Sequence, residues 1–289
     1  IIKLMKYKIR FFSSFGNPNE CEKILIRLCE TVDMDNFGQG KNIEITTGDD
    51  YTHVLILNTA MPTIPKHIDK NNVIGLAFEP RLFLGLTQEF LNYAEDNISK
   101  YFIGDNQGLP HPFVEHFSYM WYCTPCKTIP LKNKRMSIMI SEKGKTFGHM
   151  YRHYLVREIL KRGLPVDIYG RGCRFYNTQE DSRLMGQFEE LEPYQDYLFH
   201  ICIENVESNH YFSEKIINPL LNGTTPIYLG CRNIEQYFGN IIKLSKSIEG
   251  DIDLIKNILM NPEQYKKDIK LEEVKNKVYL LRNLDEIFS

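Results

Sequence analysis

Short apolar runs alternate with longer amphipathic runs along almost the whole chain, and this alternation constrains the fold more than any other feature. Runs rich in β-branched and aromatic residues predict strands at 7–12, 53–58, 73–78, 100–103, 135–141, 166–169, 199–203, 225–229 and 241–244. Helical periodicity predicts helices at 19–31, 87–97 and 148–162. Strands that alternate with helices are typical of an α/β protein with parallel sheets.

A stretch punctuated by prolines interrupts the alternation near the middle of the chain. Prolines stand at positions 110, 112, 125 and 130, and the polar run Lys132-Asn133-Lys134 follows them. Such a stretch is typical of a linker, so a domain boundary is predicted near residue 130. The predicted parts are residues 1–130, residues 131–250 and a mostly helical, charged segment at 251–289. The first two parts each have the pattern of a Rossmann-like domain.

The overall charge gives no support for a nucleic-acid-binding surface. The 289 residues carry 35 Lys and Arg against 37 Asp and Glu, a formal net charge of −2. A large nucleic-acid footprint normally requires a basic excess. With 43% apolar residues, the chain is long enough to bury a full core without disulfides.

Cysteine usage points to a reducing compartment. The seven cysteines are odd in number and scattered, which favours free thiols and a cytoplasmic location. Cys123 and Cys126 are the one close pair. They could form a redox couple or half a metal site, but no second Cys/His pair has zinc-site spacing, so a linker with two free thiols is favoured.

No transmembrane segment is expected within this sequence. No apolar run reaches 18 residues, and no signal-peptide pattern precedes the first strand. The sequence begins with Ile1 rather than Met, so it is expected to be a fragment of a longer, multidomain chain. Attachment to a membrane through a segment outside the sequence stays open.

The richest cluster of polar residues lies between two apolar strands. It is contained in residues 202–230, CIENVESNHYFSEKIINPLLNGTTPIYLG. Ser213 is placed to cap a helix that begins with Glu214 and Lys215. The free N–H groups of a helix N-terminus and a lysine charge together suit a phosphate, and a carboxylate suits ribose hydroxyls. Tyr211 and Asn205 are further hydrogen-bonding candidates. Taken alone, Ser-Glu-Lys would more often be a solvated helix start.

The spacing around this cluster resembles the donor-binding signature of the α-1,3-fucosyltransferase family, glycosyltransferase family ten. The resemblance is carried by FHICIEN at 199–205, YFSEK at 211–215 and PIYLG at 226–230, with VDIYGRG at 166–172 before them. The family usually has threonine where this chain has Ser213. The resemblance covers about residues 135–245, and the motif is long and specific.

The resemblance implies a GT-B fold, with two Rossmann-like domains facing a cleft and C-terminal helices that brace the N-terminal domain. It assigns residues 1–130 to the acceptor and residues 131–250 to the donor, GDP-fucose. By position, Asn205, Tyr211 and Lys215 would hold the diphosphate and Glu214 the ribose, and Ser213 would be a further donor-binding residue. The family also places an arginine on the helix after the second domain's first strand. Arg152 is the candidate here, although the spacing favours position 153 by one residue.

One further stretch that resembles the family lies in the first half of the chain, VIGLAFEP at 73–80. A buried strand there ends in Glu79, which the following proline holds in an extended conformation. The family carries a glutamate at such a strand end as its proposed catalytic base. Taken alone, a Glu-Pro pair would be an ordinary loop, and Glu95, Asp96 and Asp105 lie in more polar settings.

The resemblance implies an inverting glycosyltransferase that moves fucose from GDP-fucose to a glycan hydroxyl, such as O3 of an N-acetylglucosamine-like sugar. No Asp-x-Asp motif is present, so no metal or cofactor is expected, and Lys215 with an arginine would neutralise the leaving diphosphate. A transferase for another nucleotide sugar is the nearest alternative. A non-catalytic nucleotide-sugar or glycan-binding domain is another. The acceptor's identity and the oligomeric state are not encoded in any motif of the sequence.

Overall fold

A computed structural model describes residues 6–33, 43–120, 122–124, 126, 128–176 and 181–289. The chain divides into two compact units. The first contains Ile1–Thr124, Ser208–Tyr211 and Asn276–Ser289, and the second contains Pro125–Glu207 and Phe212–Lys275. The short segment Ser208–Tyr211 therefore groups with the first unit, although the residues on either side of it group with the second.

The first unit is built on a parallel sheet. Its described strands are β1 (Tyr7–Ser13), β2 (Ile43–Ile45), β3 (His53–Leu57), β4 (Val73–Leu76), β5 (Lys100–Ile103) and β6 (Phe113–Glu115). They are ordered β2-β1-β3-β4-β5-β6, and each neighbouring pair is parallel. Its helices are α1 (Pro18–Asp33), α2 (Arg81–Leu84) and α3 (Gln88–Asn97). Strands β3 and β4 are buried almost throughout, as helices on both faces of a parallel sheet require.

The second unit repeats this plan. Its described strands are β7 (Lys134–Met139), β8 (Asp167–Tyr169), β9 (Leu184–Gly186), β10 (Tyr197–Ile203), β11 (Thr225–Leu229) and β12 (Ile242–Lys243). They are ordered β12-β11-β10-β7-β8-β9, again with parallel neighbours. The helices are α4 (Phe147–Lys161), α5 (Glu214–Leu221), α6 (Ile248–Met260) and α7 (Pro262–Tyr265).

Strands β10 and β7 are neighbours, although most of a βαβαβ unit separates them in the chain. This strand order makes the carboxyl ends of β7 and β10 the point where the order of strand addition reverses, and ligands of doubly wound sheets bind at such a point. The core beneath it includes Ile138, Leu155, Ile201 and Ile227, all fully or almost fully buried. The edge of the sheet where polar residues were predicted is therefore supported by a packed core.

All nine predicted strands are present in the structure, but three strands were not predicted. These are β2, β6 and β9, which have three residues each and form edges of the two sheets. An edge strand bonds on one side only, so it tolerates exposed side chains and nearby prolines and lacks a continuous apolar run. β6, for example, follows Pro110 and Pro112 in the stretch that was predicted to be irregular.

Residues 251–289, which were predicted as one bracing segment, are divided between the two units. The apolar face of α6 packs into the core of the second unit through Ile252, Ile255 and Ile258. Helix α8 (Leu271–Val278) spans the division between the units, and α9 (Leu284–Ile287) lies in the first. There, Tyr7 donates a hydrogen bond to Asp285 over 2.6 Å. An amphipathic helix such as α6 buries its apolar face, but its sequence pattern does not specify which core receives that face.

Two expectations from the sequence concern disulfide bonds and membrane-spanning helices. None of the seven cysteines forms a disulfide bond. Across the described residues, none of the helices combines the length and apolarity needed to cross a bilayer.

Candidate functional site

The candidate site in the second unit begins where β10 ends. The Glu204 N–H donates to the carbonyl of Leu229 over 2.8 Å, which continues the pairing of β10 with β11 by one residue. At the next residue the chain meets the start of α4, since the Gly148 N–H donates to the carbonyl of Asn205 over 3.1 Å. Glu204 and Asn205 are thus fixed between a neighbouring strand and a helix N-terminus.

Two glycines make this close packing possible. A Cβ atom at Gly148 would lie 1.8 Å from the carbonyl oxygen of Glu204. A Cβ atom at Gly230 would lie 2.4 Å from Cγ of the same glutamate. Both distances are far below any real contact, so the backbone at one position and the side chain at the other occupy space that only glycine leaves open.

Replacing Gly148 with alanine is expected to lower the free energy of unfolding by about 1–3 kcal/mol, the usual penalty for overpacking. The clash is with backbone that cannot rotate away, and it outweighs the small gain in helix propensity from alanine. Urea unfolding measures the difference. Gly144→Ala is the matched control, because a Cβ there meets nothing within 4 Å. Equal stabilities of the two variants would contradict the close packing.

Glu204 is the most deeply buried charged group of the site, and sequence reasoning gave it no role. Its side chain is 0% exposed. It accepts hydrogen bonds from the Ser213 N–H (2.8 Å) and from the Ser213 hydroxyl (2.9 and 2.7 Å to its two oxygens). One signal could have identified Glu204: it is a carboxylate that directly follows an apolar strand and precedes a helix capped by the Ser213 hydroxyl.

Ser213 links this carboxylate to helix α5. It is the N-cap of α5, and its side chain accepts a hydrogen bond from the Lys215 N–H at 3.4 Å. The ammonium of Lys215 also donates to the Ser213 hydroxyl over 3.0 Å. The predicted capping role of Ser213 is confirmed, and Glu204 fixes the direction in which that hydroxyl donates.

Lys215 is held between two carboxylates. Its ammonium lies 2.9 Å from Glu214 and 3.5 Å from Glu204, and its side chain is 21% exposed. Burial lowers the pKa of Lys215, but the two carboxylates outweigh burial and leave that pKa raised. Burial likewise raises the pKa of Glu214, and Lys215 reverses the effect to leave it lowered. Both groups are therefore charged at neutral pH.

Arg152 is the second cation of the site. The residue is 7% exposed; its Nε donates to the carbonyl of Gly148 (3.1 Å) and its Nη2 to Oδ1 of Asn205 (2.5 Å). Burial lowers its pKa, and the more distant charges of Glu204 and Glu214 oppose this. Among the residues that the structure describes, no carboxylate lies within ion-pair distance of this guanidinium. Arg152 is thus a buried cation bonded only to neutral groups.

The side chain of His153 takes a different direction from that of Arg152. Its ring lies 2.7 Å from the Tyr176 hydroxyl and 2.9 Å from the carbonyl of Ser141. One residue along a helix turns the side chain by about 100°, which separates the two neighbours. Of the two positions, only 152 lies beside Asn205.

His149, on the first turn of α4, lies among positively charged side chains, and its pKa shows their effect. Nothing in the sequence pattern singled it out. Burial, followed by the charges of Arg152, Lys143 and Lys215, lowers the pKa of His149 to about 4. Its ring lies 2.6 Å from the hydroxyl of Thr146, the N-cap of α4. The imidazole is therefore neutral at pH 7 and surrounded by cations.

Tyr211 belongs to the first unit. It is buried, with 7% of its surface exposed, and it lies against the end of β5. A Cβ atom at Gly104 would be 2.8 Å from the Tyr211 Cβ, so that position also requires glycine. The backbone of this tyrosine is firmly positioned on the carboxyl edge of the first sheet.

Glu79 lies at the same edge of the first sheet, three residues beyond β4, and is half-buried. The residue before it is fixed, since the Phe78 N–H donates to Oδ1 of Asn58 over 2.8 Å, and the Tyr101 hydroxyl donates to the carbonyl of Asn58 over 2.8 Å. Pro80 follows in an extended conformation and begins α2. The predicted strand extended to Phe78, but β4 ends at Leu76, so Glu79 lies near the strand end rather than directly on it.

The structure thus brings five of the seven predicted residues together in the second unit. They are Arg152, Asn205, Ser213, Glu214 and Lys215, and Glu204 joins them. Tyr211 and Glu79 lie in the first unit. A search of the described residues finds no group of three or more His, Cys, Asp or Glu side chains arranged to hold a metal ion.

Comparisons with known proteins point to one family. Residues 129–245 match the family model described as Glycosyltransferase family 10 (fucosyltransferase) C-term. The chain is 33% identical over 94 residues to Alpha-(1,3)-fucosyltransferase B of Drosophila melanogaster, which covers 31% of this chain and 21% of that protein. It is 25% identical over 125 residues to a fucosyltransferase-like protein of Arabidopsis thaliana, covering 42% and 23%. These alignments span about a quarter of the length of the two relatives.

The fold is shared with a solved enzyme structure. A crystal structure of alpha1,3-fucosyltransferase with GDP-fucose aligns with a TM-score of 0.54 and 15% identity, covering 100% of this chain and 94% of that one. At this identity the likeness concerns the fold alone. The predicted GT-B class, with two parallel-sheet α/β units, is confirmed.

Proposed function

We propose that the chain, whose residues 129–245 match the glycosyltransferase family 10 model, transfers fucose from GDP-fucose to a glycan hydroxyl with inversion at the anomeric carbon. The observation that carries the proposal is Arg152, a buried guanidinium with no carboxylate of the described residues in ion-pair distance. A buried charge is normally paired, and an anionic ligand would supply the missing partner. A diphosphate is the anion that the neighbouring groups suit.

Those neighbours provide the remaining parts of a diphosphate site. Lys215 adds a second cation, and the first N–H groups of α5 present the positive end of its dipole. Asn205 is held by Arg152 and can turn its amide toward an oxygen. Glu214, whose side chain is 38% exposed, is proposed to accept hydrogen bonds from the ribose hydroxyls.

In the proposed reaction, Glu79 takes the proton of the acceptor hydroxyl as that oxygen attacks the anomeric carbon. The bond from that carbon to the diphosphate breaks in the same displacement, and the electron pair leaves with GDP. A single displacement inverts the anomeric centre. Arg152, Lys215 and the α5 N-terminus stabilise the charge that grows on the leaving diphosphate. Tyr211 is proposed as a further donor-binding residue.

Glu204 is proposed as a positioning residue in this scheme. It holds the Ser213 hydroxyl in a fixed direction and contributes to the charged state of Lys215. Since its two oxygens are occupied by Ser213 and Lys215, it is not proposed to contact the nucleotide. Its effect on the reaction is exerted through the ammonium and the helix start that it orients.

The transfer is proposed to need no metal, because two protein cations occupy the place where a divalent ion would act. The test is incubation with GDP-fucose and a glycan array, with and without excess chelator, with product stereochemistry read by NMR. Fucosylated product of inverted configuration is expected in both arms. Loss of activity in chelator would overturn the metal independence while leaving the transfer itself supported.

The same assay separates the alternatives. Transfer from another nucleotide sugar, with none from GDP-fucose, would favour a different donor. Tight binding of a nucleotide sugar without any transfer would favour a binding domain. Two observations favour an enzyme over a binding domain. Glu79 lies beside a fixed strand end, and the cations Arg152 and Lys215 are both present.

A further inference from the structure

One buried side chain beside Arg152 and Lys215 has no role in the reaction proposed above. It is the imidazole of His149, which is 6% exposed and lies on the first turn of α4. The residue before it already belongs to the site, because the Gly148 N–H donates to the carbonyl of Asn205. His149 and Arg152 are three residues apart, so their side chains are neighbours on the surface of the helix. The imidazole therefore lies beside the buried guanidinium.

The two nitrogens of this imidazole have different surroundings. Nδ1 lies 2.6 Å from the hydroxyl of Thr146, the N-cap of α4. That hydroxyl oxygen accepts a hydrogen bond from the His149 N–H at 3.4 Å, so its own hydrogen can be donated to Nδ1. This arrangement places the ring hydrogen of the neutral form on Nε2. Within the described parts of the chain Nε2 has no hydrogen-bond partner, so the ring keeps one donor that the fold does not use.

Among the described residues, the titratable groups that act on His149 are all basic. Arg152 and His153 lie on α4 itself, Lys143 lies between β7 and α4, and Lys215 lies at the start of α5. Burial, followed by these charges, is the reason that the pKa of His149 is lowered to about 4. In the free protein the ring is therefore neutral across the physiological range, although it lies where an anion is expected.

A bound diphosphate would reverse this balance. Held by Arg152 and Lys215, it would bring negative charge beside the same imidazole. An opposite charge within about 4–6 Å typically shifts a pKa by about 1–3 pH units, and here the direction is upward. At mildly acidic pH, a ring that is neutral in the free protein would then be partly protonated in the complex.

We propose that donor binding is coupled to the uptake of one proton by His149, which then holds a phosphate oxygen through Nε2–H. The inference rests on the proposed function, since it concerns the diphosphate of the same donor. The proton comes from solvent and adds to the lone pair of Nδ1, and the Thr146 hydroxyl then accepts a hydrogen bond instead of donating one. The imidazolium joins Arg152 and Lys215 only when the diphosphate is present, so the empty site avoids a further buried charge.

This coupling makes donor affinity depend on pH in one direction. The complex binds more protons than the free protein, so affinity rises as the pH falls. If the bound diphosphate raises the pKa of His149 by about two pH units, affinity should increase about fourfold between about pH 7.5 and about pH 5.5. At about pH 6, about half a proton should be taken up for each donor molecule bound.

Calorimetric titration of GDP-fucose at about pH 6, without acceptor, measures the uptake. The titration is run in two buffers of different ionisation enthalpy, such as PIPES and Bis-Tris, and the difference in apparent enthalpy gives the number of protons. GDP-fucose is the probe because each of its phosphates keeps a single negative charge near neutral pH, so a proton that is taken up belongs to the protein. Uptake of about half a proton is expected.

Two variants assign the proton to one residue. His149→Gln keeps an amide N–H donor but cannot be protonated, so it is expected to bind GDP-fucose without uptake and with an affinity that changes less than about twofold with pH. His153→Gln is the matched control on the same helix. The His153 ring is bonded to Tyr176 and to the carbonyl of Ser141, so its replacement should leave the uptake in place.

An NMR titration of the His149 ring in the unmodified protein, with and without GDP-fucose, gives the same information without relying on a variant. Binding of GDP-fucose without proton uptake, or equal uptake in His149→Gln, would overturn the coupling, while transfer to a glycan would still support the enzyme. Absence of GDP-fucose binding to the unmodified protein would overturn both proposals.

Discussion

Replacing Glu79 with glutamine is expected to lower turnover by about 10²–10⁴-fold while GDP binds as tightly as it does to the unmodified protein. Glutamine keeps the shape of the side chain but removes its ability to take the acceptor's proton. The nucleotide is assigned to the second unit, and Glu79 lies in the first. Turnover with GDP-fucose and calorimetric titration of GDP on the same preparation measure the two quantities.

Glu95→Gln is the matched control for this prediction. It lies on α3 in the same unit and is exposed, so its loss of charge should leave turnover within about twofold. Near-normal turnover of Glu79→Gln would exclude Glu79 as the base. Equal losses in the two variants would point to the overall charge of the unit instead.

The backbone on either side of Glu79 is fixed by groups that the substitution leaves in place. Asn58 and Tyr101 fix the backbone immediately before it, and Pro80 fixes the backbone after it. These bonds do not involve the carboxylate, so the glutamine variant retains them.

The sequence was sufficient to predict the parts of this fold that are buried on both sides. Strands β10 and β11 read as continuous apolar runs because helices cover both faces of the sheet. The edge strand β9 could not be recognised in the same way. It has three residues, none fully buried, and its pairing with β8 includes a register shift. Pairing of this kind depends on the finished sheet rather than on local sequence.

The residues of the candidate site also differ in whether the sequence could predict them. Ser213, Glu214 and Lys215 were predictable because a helix start places neighbours in the chain close together. Glu204 was not, since it reaches Ser213 across nine residues of chain. The choice between Arg152 and its neighbour also required the structure, because the direction of a helical side chain depends on where the helix begins. Thr146 sets that start as the N-cap of α4.

Replacing Lys215 with alanine is expected to weaken GDP binding and to slow the transfer, each by about 10²-fold or more. Within the described parts of the chain, its ammonium is the one cation in ion-pair distance of both Glu204 and Glu214, and it is mostly buried. Removing a group that stabilises transition-state charge typically lowers kcat by about 10²–10³-fold. Removing one partner of a buried ion pair also costs about 2–5 kcal/mol, because the other charge stays buried.

A double variant separates the loss of folding stability in Lys215→Ala from its loss of GDP affinity and rate. Combining Lys215→Ala with Glu204→Gln removes the unpaired carboxylate, so the double variant should recover part of the folding stability lost in Lys215→Ala. It should not recover GDP affinity or rate, since the cation is still missing. Urea unfolding, GDP titration and single-turnover rates measure the three quantities, and Lys256→Ala on the exposed face of α6 serves as control. If GDP affinity stayed within twofold of the unmodified protein, or if it returned in the double variant, Lys215 would be a structural residue rather than a ligand of the diphosphate.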